Sequence, residues 1–303
     1  MKKKISVGTW CFQFPPYDKK PVGLDDVCKK LAELGYDGIS LDGNHANPQT
    51  FPTKESRKEL AKKITGYGLG VSEFNPAFGV VEGIVIQDDP KYWLTEVKEN
   101  LEFISDLGLT ENLRVDTRAL PTYVNNENYE RAWDTTVNAF KKAANMAQDY
   151  GKKLVWEFEP GFVFNTPDEI IKMYNDVNHP AFTLECDSAH VYTIAEKGLY
   201  QVHKKQTLPG GQSEFYRLLK DKIGLVHIID NDGTLWNGVT SMHVQFGEGD
   251  LDFDNVVFPG LRDLANYKGE WWVVDLVFND DAWNILGEAK KKIDLYNTKY
   301  GNY

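Results

Sequence analysis

The chain is poor in cysteine, since Cys11, Cys28 and Cys186 are the only three among its 303 residues. Three widely spaced cysteines predict neither a disulfide framework nor a zinc-binding cysteine pattern. Long apolar runs are also missing, and none approaches the roughly 18 residues of a membrane-spanning helix. The stretch after the N-terminal lysines is too short and too mixed for a signal peptide. We therefore expect a cytoplasmic protein without a role in a membrane.

Basic side chains are outnumbered: 34 Lys and Arg face 45 Asp and Glu, which gives a formal net charge of −11. Nucleic acids and anionic membranes bind positive surfaces, and no basic stretch offsets this acidic surplus. The composition therefore argues against a nucleic-acid-binding role. It leaves acidic side chains available as cation ligands. The eight Trp residues suit a large core or a pocket that faces a carbohydrate.

Short apolar runs alternate with amphipathic helical patterns along the whole chain. Eight runs are typical of strands: KISVGTW, YDGISLDG, LGVSEFNP, ENLRVDT, KKLVWEFEP, AFTLECDSAHV, LVHIIDND and EWWVVDLVF. Such alternation indicates a parallel sheet with helices outside it. Eight units predict a closed α/β barrel, the (β/α)8 or TIM barrel, with residues 1–303 as one domain. An open doubly wound sheet would need a glycine-rich phosphate turn after the first strand, and GTWCFQFPP is not one.

Polar side chains that can bind metals collect where the last four predicted strands end, and this is the end at which TIM barrels carry their active sites. The four strands contribute Glu157 and Glu159, Asp187 and His190, His227 and Asp230, and Asp275. Glu157 and Glu159 face one side of strand five, because alternate residues of a strand point the same way. Unpaired buried carboxylates are costly, so we expect these acids to converge on a cation.

Two or three carboxylates with one imidazole suit Mn²⁺, Mg²⁺, Co²⁺ or Zn²⁺. No thiolate is offered, because Cys186 neighbours Asp187 and should face the opposite side of its strand. A metal bound to a sugar carbonyl and its neighbouring hydroxyl acidifies the carbon-bound proton between them and stabilises the resulting enediolate. A flanking carboxylate then removes that proton, and another acid returns one.

The motifs LVWEFEPG, LECDSAH, LVHIIDNDG and GEGDLDF, followed by GEWWVVD, resemble the sugar phosphate isomerase/epimerase family, the xylose isomerase-like TIM barrels. The resemblance covers nearly the whole chain. It implies four metal ligands, with manganese as the leading ion: Glu157, Asp187, His227 and Asp275. It also implies that Glu157 and Asp275 transfer protons, and that His190 and Asp230 contact the substrate or support the ligands.

The chain departs from the family pattern at two positions. Glu159 stands where the family usually has His, and Asp275 stands where Glu is usual. Glu159 is a candidate base, an acceptor for a sugar hydroxyl, or the partner of a basic side chain such as Arg114 on strand four. Arg114 is itself a candidate substrate contact. Asp275 is one methylene shorter than Glu, which shortens its reach toward a substrate carbon.

Further substrate contacts are predicted at the same rim. His45 follows strand two, Trp10 ends strand one and suits stacking on a sugar ring, and His243 lies in a loop over the rim. Turn formation or plain packing is the alternative role for each of the three. The segment FGVVEGIVIQDDP is a further long loop, which would close on the substrate or pair with another subunit.

These features predict an enzyme, a metal-dependent isomerase or epimerase of a small sugar or polyol. A lyase is the alternative, of the inosose dehydratase type or cleaving a 3-keto-glycoside or C-glycoside. It would share the first step and need an acid at the leaving group, for which Glu159, His190 and His45 are candidates. An endonuclease-type phosphodiester hydrolase and a non-catalytic sugar-binding subunit are less favoured. No cluster of Arg or Lys indicates a phosphate site, so we expect a free sugar as the substrate. Barrels of this kind often form homo-oligomers.

Overall fold

The computed structural model describes residues 2–77 and 89–302. Eight parallel strands close into a barrel in the order β1-β10-β7-β6-β5-β4-β3-β2, with β2 paired back to β1. These strands are β1 Lys4–Gly8, β2 Gly38–Asp42, β3 Gly70–Asn75, β4 Asn112–Val115, β5 Lys153–Glu157, β6 Phe182–Asp187, β7 Ile223–Ile228 and β10 Trp271–Val274. The predicted TIM barrel is confirmed. The segment predicted as a long loop falls mostly on residues 78–88, outside the described residues.

Eight α-helices accompany the barrel within the described part of the chain. They are α1 Leu24–Glu33, α2 Lys54–Gly66, α3 Lys91–Leu107, α4 Tyr129–Asp149, α5 Pro167–Val177, α6 Ser188–Tyr192, α7 Gly211–Leu218 and α8 Ala282–Tyr300. Shorter helical turns lie at Thr9–Phe12, Pro121–Tyr123, Thr193–Lys197, Phe253–Val257 and Gly260–Leu264. The helical segment before β10 therefore consists of two π-helical turns, one before and one after Phe258 and Pro259. None of the helices in the described ranges is long and apolar enough to cross a membrane.

Strand β5 shows how the sequence directs side chains to the site. Trp156 points outward and packs against Phe140 of α4 and Phe182 of β6, with ring centroids 5.7 and 6.3 Å apart. Alternation therefore turns Glu157 toward the barrel axis, and Glu159 follows on the same side. The apolar layer between strands and helices fixes the face on which the acids appear.

A small antiparallel hairpin, which the sequence pattern did not predict, covers part of the rim. It consists of β8 Leu235–Trp236 and β9 Thr240–Ser241, between β7 and β10. Two-residue strands carry too little periodicity to be recognised from sequence. The hairpin brings Thr240 and Ser241 toward the side chains at the ends of strands β5 and β6.

Candidate metal centre and active site

A cavity of about 410 Å³ opens at the carboxyl ends of the barrel strands. This is a volume typical of small-molecule sites. Eight of the predicted site residues line it: Trp10, Arg114, Glu157, Glu159, His190, His227, His243 and Asp275. Their gathering follows from the parallel sheet, because all eight strands deliver their C-terminal ends to one rim.

Three of the four predicted metal ligands form one buried group, made of Glu157, His227 and Asp275. His227 Nδ1 lies 3.9 Å from Glu157 Oε1 and 3.6 Å from Asp275 Oδ2. Glu157 ends β5, His227 lies on β7, and Asp275 directly follows β10. Two carboxylate oxygens and one imidazole nitrogen therefore face a common point.

Asp187, the fourth predicted ligand, is fully buried beside this group. Its Oδ1 accepts from the backbone N–H groups of Ala189 at 2.7 Å and His190 at 3.0 Å, so it caps helix α6. Asp187 groups with His190 and His243. His243 Nδ1 in turn lies 3.6 Å from Asp275 Oδ1, which connects the two groups.

The donor atoms around this point suit a divalent cation. Within the described ranges, Asp187 Oδ2, His227 Nδ1 and both ring nitrogens of His243 are buried without a hydrogen-bond partner. Buried polar atoms normally have partners, so a cluster of orphaned ones fits the donor set of an ion site. Carboxylate and imidazole groups are the donors that Mn²⁺, Co²⁺ and Zn²⁺ accept. The residues therefore fit a metal ion.

The ionisable side chains of the site shift the pKa values of their neighbours. Burial alone would raise the pKa of Asp275, but His243 and His227 outweigh it and hold the pKa well below the usual aspartate range. Burial alone would lower the pKa of His227, but the charges of Glu185 and Glu73 outweigh it and raise the pKa well above the usual histidine range. Asp275 is therefore an ionised acceptor at every physiological pH.

Glu157 is held from two directions. Its Oε2 accepts a hydrogen bond from Arg114 Nη2, and its Oε1 lies 3.3 Å from His190 Nε2. Glu159 was the predicted partner of Arg114, but the guanidinium donates to Glu157 on the neighbouring strand instead. One oxygen of Glu157 remains turned toward the centre.

Glu159 and His190 form a second acid–base pair next to Glu157. His190 Nε2 lies 3.5 Å from Glu159 Oε2, and His190 Nδ1 lies 2.8 Å from Ser241 Oγ. Thr240 Oγ1 donates to Glu159 Oε2 at 3.2 Å. Burial would raise the pKa of Glu159, but His190 and Arg114 outweigh it and lower the pKa. The hairpin β8–β9 thus positions an ionised carboxylate and an imidazole in the cavity.

Two predicted substrate contacts lie elsewhere. His45 turns away from the cavity, and its Nε2 lies 2.7 Å from Gln13 Nε2 and 3.0 Å from the Val22 carbonyl oxygen. Asp230 is fully buried and accepts from the backbone N–H groups of Gly247 and Gly249 at 2.8 and 3.1 Å. Asp230 therefore shapes the GEGD turn, because a fully buried carboxylate bonded to backbone amides is not free to meet a substrate.

Several cavity and core residues were not predicted from sequence. Trp236 and Phe278 stack with ring centroids 3.9 Å apart and line the cavity. Glu73 and Glu185 lie fully buried inside the barrel, next to His227. A charged residue within an apolar strand was the available signal for both acids, and Glu185 also precedes Asp187 by two residues, on the same face.

Eight parallel strands that close into one barrel, with carboxylates and imidazoles at its carboxyl-terminal rim, define the chain as a TIM barrel. The chain belongs to the xylose isomerase-like TIM barrel family, whose model matches residues 28–269. This confirms the resemblance that the strand-end motifs indicate. A similar relative is an uncharacterized protein of Methanocaldococcus jannaschii, 24% identical over 278 residues, which cover 90% of this chain and 83% of the relative.

Solved structures with the same fold include proteins named as enzymes. A probable 3-DHS dehydratase of Bacillus anthracis matches with a TM-score of 0.70 and 15% identity over 96% of this chain and 98% of that one. A 3-keto-D-glucoside 4-epimerase of E. coli matches with a TM-score of 0.70 and 18% identity over 97% of this chain and 100% of that one. The IOLI protein with a bound zinc atom matches with a TM-score of 0.69 and 18% identity over the whole of both chains. These likenesses show the fold.

Proposed function

We propose that this protein is a divalent-metal-dependent isomerase or epimerase of a small sugar or polyol. The observation that carries the proposal is the meeting of Glu157, His227 and Asp275 in a cavity of about 410 Å³. The named activity of the similar 3-keto-D-glucoside epimerase supports the substrate class. The zinc in the IOLI structure supports a metal in a barrel of this kind.

Glu157, His227, Asp275 and the adjacent Asp187 would hold the ion, with manganese as the leading candidate and Mg²⁺, Co²⁺ or Zn²⁺ as alternatives. A divalent ion bound there would polarise a substrate carbonyl and stabilise the negative charge of an enediolate. The aromatic side chains of Trp10, Trp236 and Phe278 would bind the apolar faces of the sugar.

Proton transfer would fall to the carboxylates that flank the centre. Glu157 at the end of β5 and Asp275 directly after β10 approach His227 from two strands that are not neighbours in the barrel. One carboxylate would take the proton from the carbon next to the carbonyl. In an isomerisation the same side chain, now a carboxylic acid, would return the proton to the neighbouring carbon. In an epimerisation the other carboxylate, protonated from solvent, would deliver a proton to the opposite face. The substrate therefore gains and loses one proton, as isomerisation and epimerisation require.

A lyase is the second candidate, because the cavity holds one more acid–base pair than epimerisation uses. His190 and Glu159 lie beside Glu157 and are oriented by Ser241 and Thr240. After the same proton abstraction, His190 would donate a proton to a departing β-substituent. The similar structure named as a probable dehydratase supports this alternative.

The decisive experiment measures metal content and solvent proton exchange together. Protein stripped with a chelator would be reloaded with Mn²⁺, Co²⁺, Zn²⁺ or Mg²⁺ and incubated in deuterated water with free ketoses and 3-keto-glycosides. We expect one ion per chain and deuterium beside the carbonyl, read by NMR. Recovery of intact isomers identifies an isomerase or epimerase, whereas loss of a substituent identifies a lyase.

Matched variants make the result specific. Glu157→Gln and Asp275→Asn should abolish exchange. Glu270→Gln should not, because Glu270 pairs with Lys4 at 2.8 Å at the opposite end of the barrel. Absence of bound metal together with absence of exchange in every substrate would contradict the proposal.

A further inference from the structure

The side chain of Glu73 is a buried carboxylate deep inside the barrel, below the cavity floor. It is fully buried, and its Oε1 accepts from Ser40 Oγ at 2.7 Å. The same oxygen lies 2.7 Å from His227 Nε2. Strands β3 and β7 are four positions apart in the eight-stranded order, so this contact crosses the barrel interior.

The contact settles which nitrogen of His227 faces the cavity. A carboxylate at 2.7 Å accepts a hydrogen bond, so Nε2 carries the proton. Nδ1 then remains as the nitrogen that can bind a metal, and it is the atom that faces Glu157 Oε1 and Asp275 Oδ2. Carboxylates that accept from the far nitrogen of a metal-binding histidine fix its tautomer and its orientation.

We propose that Glu73 is a positioning residue, which holds His227 with Nε2 protonated and presents Nδ1 to the metal centre. The inference rests on the metal centre of the proposed function and assigns a task to a residue outside the cavity. Ser40 completes the arrangement, since its hydroxyl donates to the same Glu73 oxygen and limits rotation of the carboxylate.

A second cation below the cavity is the competing explanation. Glu185 Oε1 lies 3.2 Å from His227 Nε2, and across the residues that the structure describes neither Glu185 oxygen has a hydrogen-bond partner. Glu73, Glu185 and His227 would then be ligands of one ion. Two ligand atoms about 2.1 Å from one ion, at right angles, are about 3 Å apart. The 2.7 Å between Glu73 Oε1 and His227 Nε2 is shorter and has the length of a hydrogen bond.

Binding of Co²⁺ and Zn²⁺ to four proteins tests the proposal: the wild type, Glu73→Ala, Glu73→Gln and Ser72→Ala. Ser72 precedes Glu73 on β3, is buried, and bonds Ser6 Oγ at 2.9 Å, so Ser72→Ala controls for disturbance of the core. Dissociation constants come from chelator competition, and thermal unfolding monitors folding. We expect one ion per chain, a loss of affinity of about 10- to 100-fold in Glu73→Ala, and no change in Ser72→Ala.

Nitrogen NMR of the zinc-loaded protein supplies a readout that a purely structural role would not move. The His227 signals, assigned with His227→Ala, should show zinc on Nδ1 and a proton on Nε2. Glu73→Gln should keep this pattern, because the amide oxygen still accepts from Nε2, and its affinity should fall less than that of Glu73→Ala. If Glu73→Ala does not fold, the wild-type and Glu73→Gln spectra show which nitrogen of His227 binds zinc and thereby test the proposal.

Three results would overturn the inference. Zinc on Nε2 would do so, as would equal affinities of folded Glu73→Ala and wild type. Two ions per wild-type chain, with one lost in Glu73→Ala, would identify the inner acids as a cation site. A wild type that binds no ion would remove the proposed function and the inference with it, whereas an unchanged Glu73→Ala would remove the inference alone.

Discussion

Arg114, which is half-buried, and Glu157, which is buried, form an ion pair between the neighbouring strands β4 and β5. The guanidinium also reaches Asn75 Oδ1 at 2.8 Å and Asp116 Oδ2 at 3.2 Å, so it is fixed from several sides. One oxygen of Glu157 is therefore committed to Arg114, and the other faces His190 and His227. The pair orients the carboxylate that the proposed metal centre and the proposed proton transfer both use.

Breaking this pair from one side should be costly. Arg114→Met would leave a buried, uncompensated carboxylate, which typically costs about 3–5 kcal/mol of unfolding free energy. Glu157→Gln should cost less, because the guanidinium keeps Asp116 Oδ2 at 3.2 Å as a counter-charge. The double variant should lose less than the sum of the two, with a coupling energy above about 1 kcal/mol in urea unfolding of the metal-free protein.

The exposed pair Lys4–Glu270 serves as the control, and its coupling should stay below about 1 kcal/mol. Bound metal should reduce the cost of Arg114→Met, because a cation then neutralises Glu157. Additive single variants would show that Arg114 and Glu157 do not act as a pair.

Metal binding should release a proton. The charges of Glu185 and Glu73 outweigh burial and raise the pKa of His227, so the metal-free imidazole keeps its second proton to a higher pH than an ordinary histidine does. An ion on Nδ1 displaces that proton, and affinity should rise with pH until the raised pKa is passed. Calorimetry in buffers of different ionisation enthalpy should give close to one proton per ion at about pH 7.

The same shift determines the direction of the pH effect on stability. A raised histidine pKa stabilises the metal-free fold at pH values below the usual histidine pKa, and this contribution is lost as pH rises through the raised value. Loss of the released proton in His227→Ala would tie the effect to this residue. A wild type that binds metal without proton release would show that His227 is already neutral.

The fold was predictable from sequence. The barrel strands are short apolar runs, and the segments between them carry apolar residues at helical spacing. The caps Thr53 and Thr166 were recognisable too, and they accept from the N–H groups of Ser56 and Glu169 at 3.1 and 3.3 Å. Local chemistry decides such features, so no tertiary information is needed.

Contacts between distant segments were not predictable. Asp230 stands at a strand end like Asp275, and only the fold shows that its oxygens bind the amides of residues 247 and 249. Glu73 and His227 are 154 residues apart, and their contact depends on closure of the barrel. The spacing of a motif gives the face of a strand, whereas the partner across the barrel depends on strand order and register.

Glu159 and His190 should affect proton transfer without affecting metal binding. Glu159 is ionised and lies 3.5 Å from His190 Nε2, away from the His227–Asp275 side of the centre. Glu159→Gln and His190→Asn should slow turnover by about 100-fold or more, as expected for loss of a general acid or base. Metal affinity should change less than about threefold, a difference below about 1 kcal/mol.

Rates of deuterium uptake separate the two candidate reactions. In a lyase, His190→Asn should keep exchange beside the carbonyl and lose release of the substituent. In an epimerase, exchange and product formation should fall together. Thr240→Val removes only the hydroxyl that donates to Glu159 and should have a smaller effect. Full activity in both Glu159→Gln and His190→Asn would exclude the pair from the reaction.

The fluorescence of Trp10 should fall when a paramagnetic metal ion binds. Its Nε1 donates to Asp275 Oδ1 at 2.7 Å, and its ring stacks on that of His227 with centroids 5.4 Å apart. A paramagnetic ion such as Co²⁺ between Asp275 and His227 would quench the indole fluorescence at this short range. Trp10→Phe should lose the part of the quenching that arises at Trp10 and still bind the ion, with an affinity reduced about fivefold by the loss of one hydrogen bond worth about 1 kcal/mol. Trp271→Phe, at the start of β10 and the far end of the barrel, should quench like the wild type. Trp236→Phe is measured beside it, because Trp236 is the other indole among the described residues that line the cavity. Equal quenching in Trp10→Phe, Trp236→Phe and wild type would contradict an ion beside Asp275.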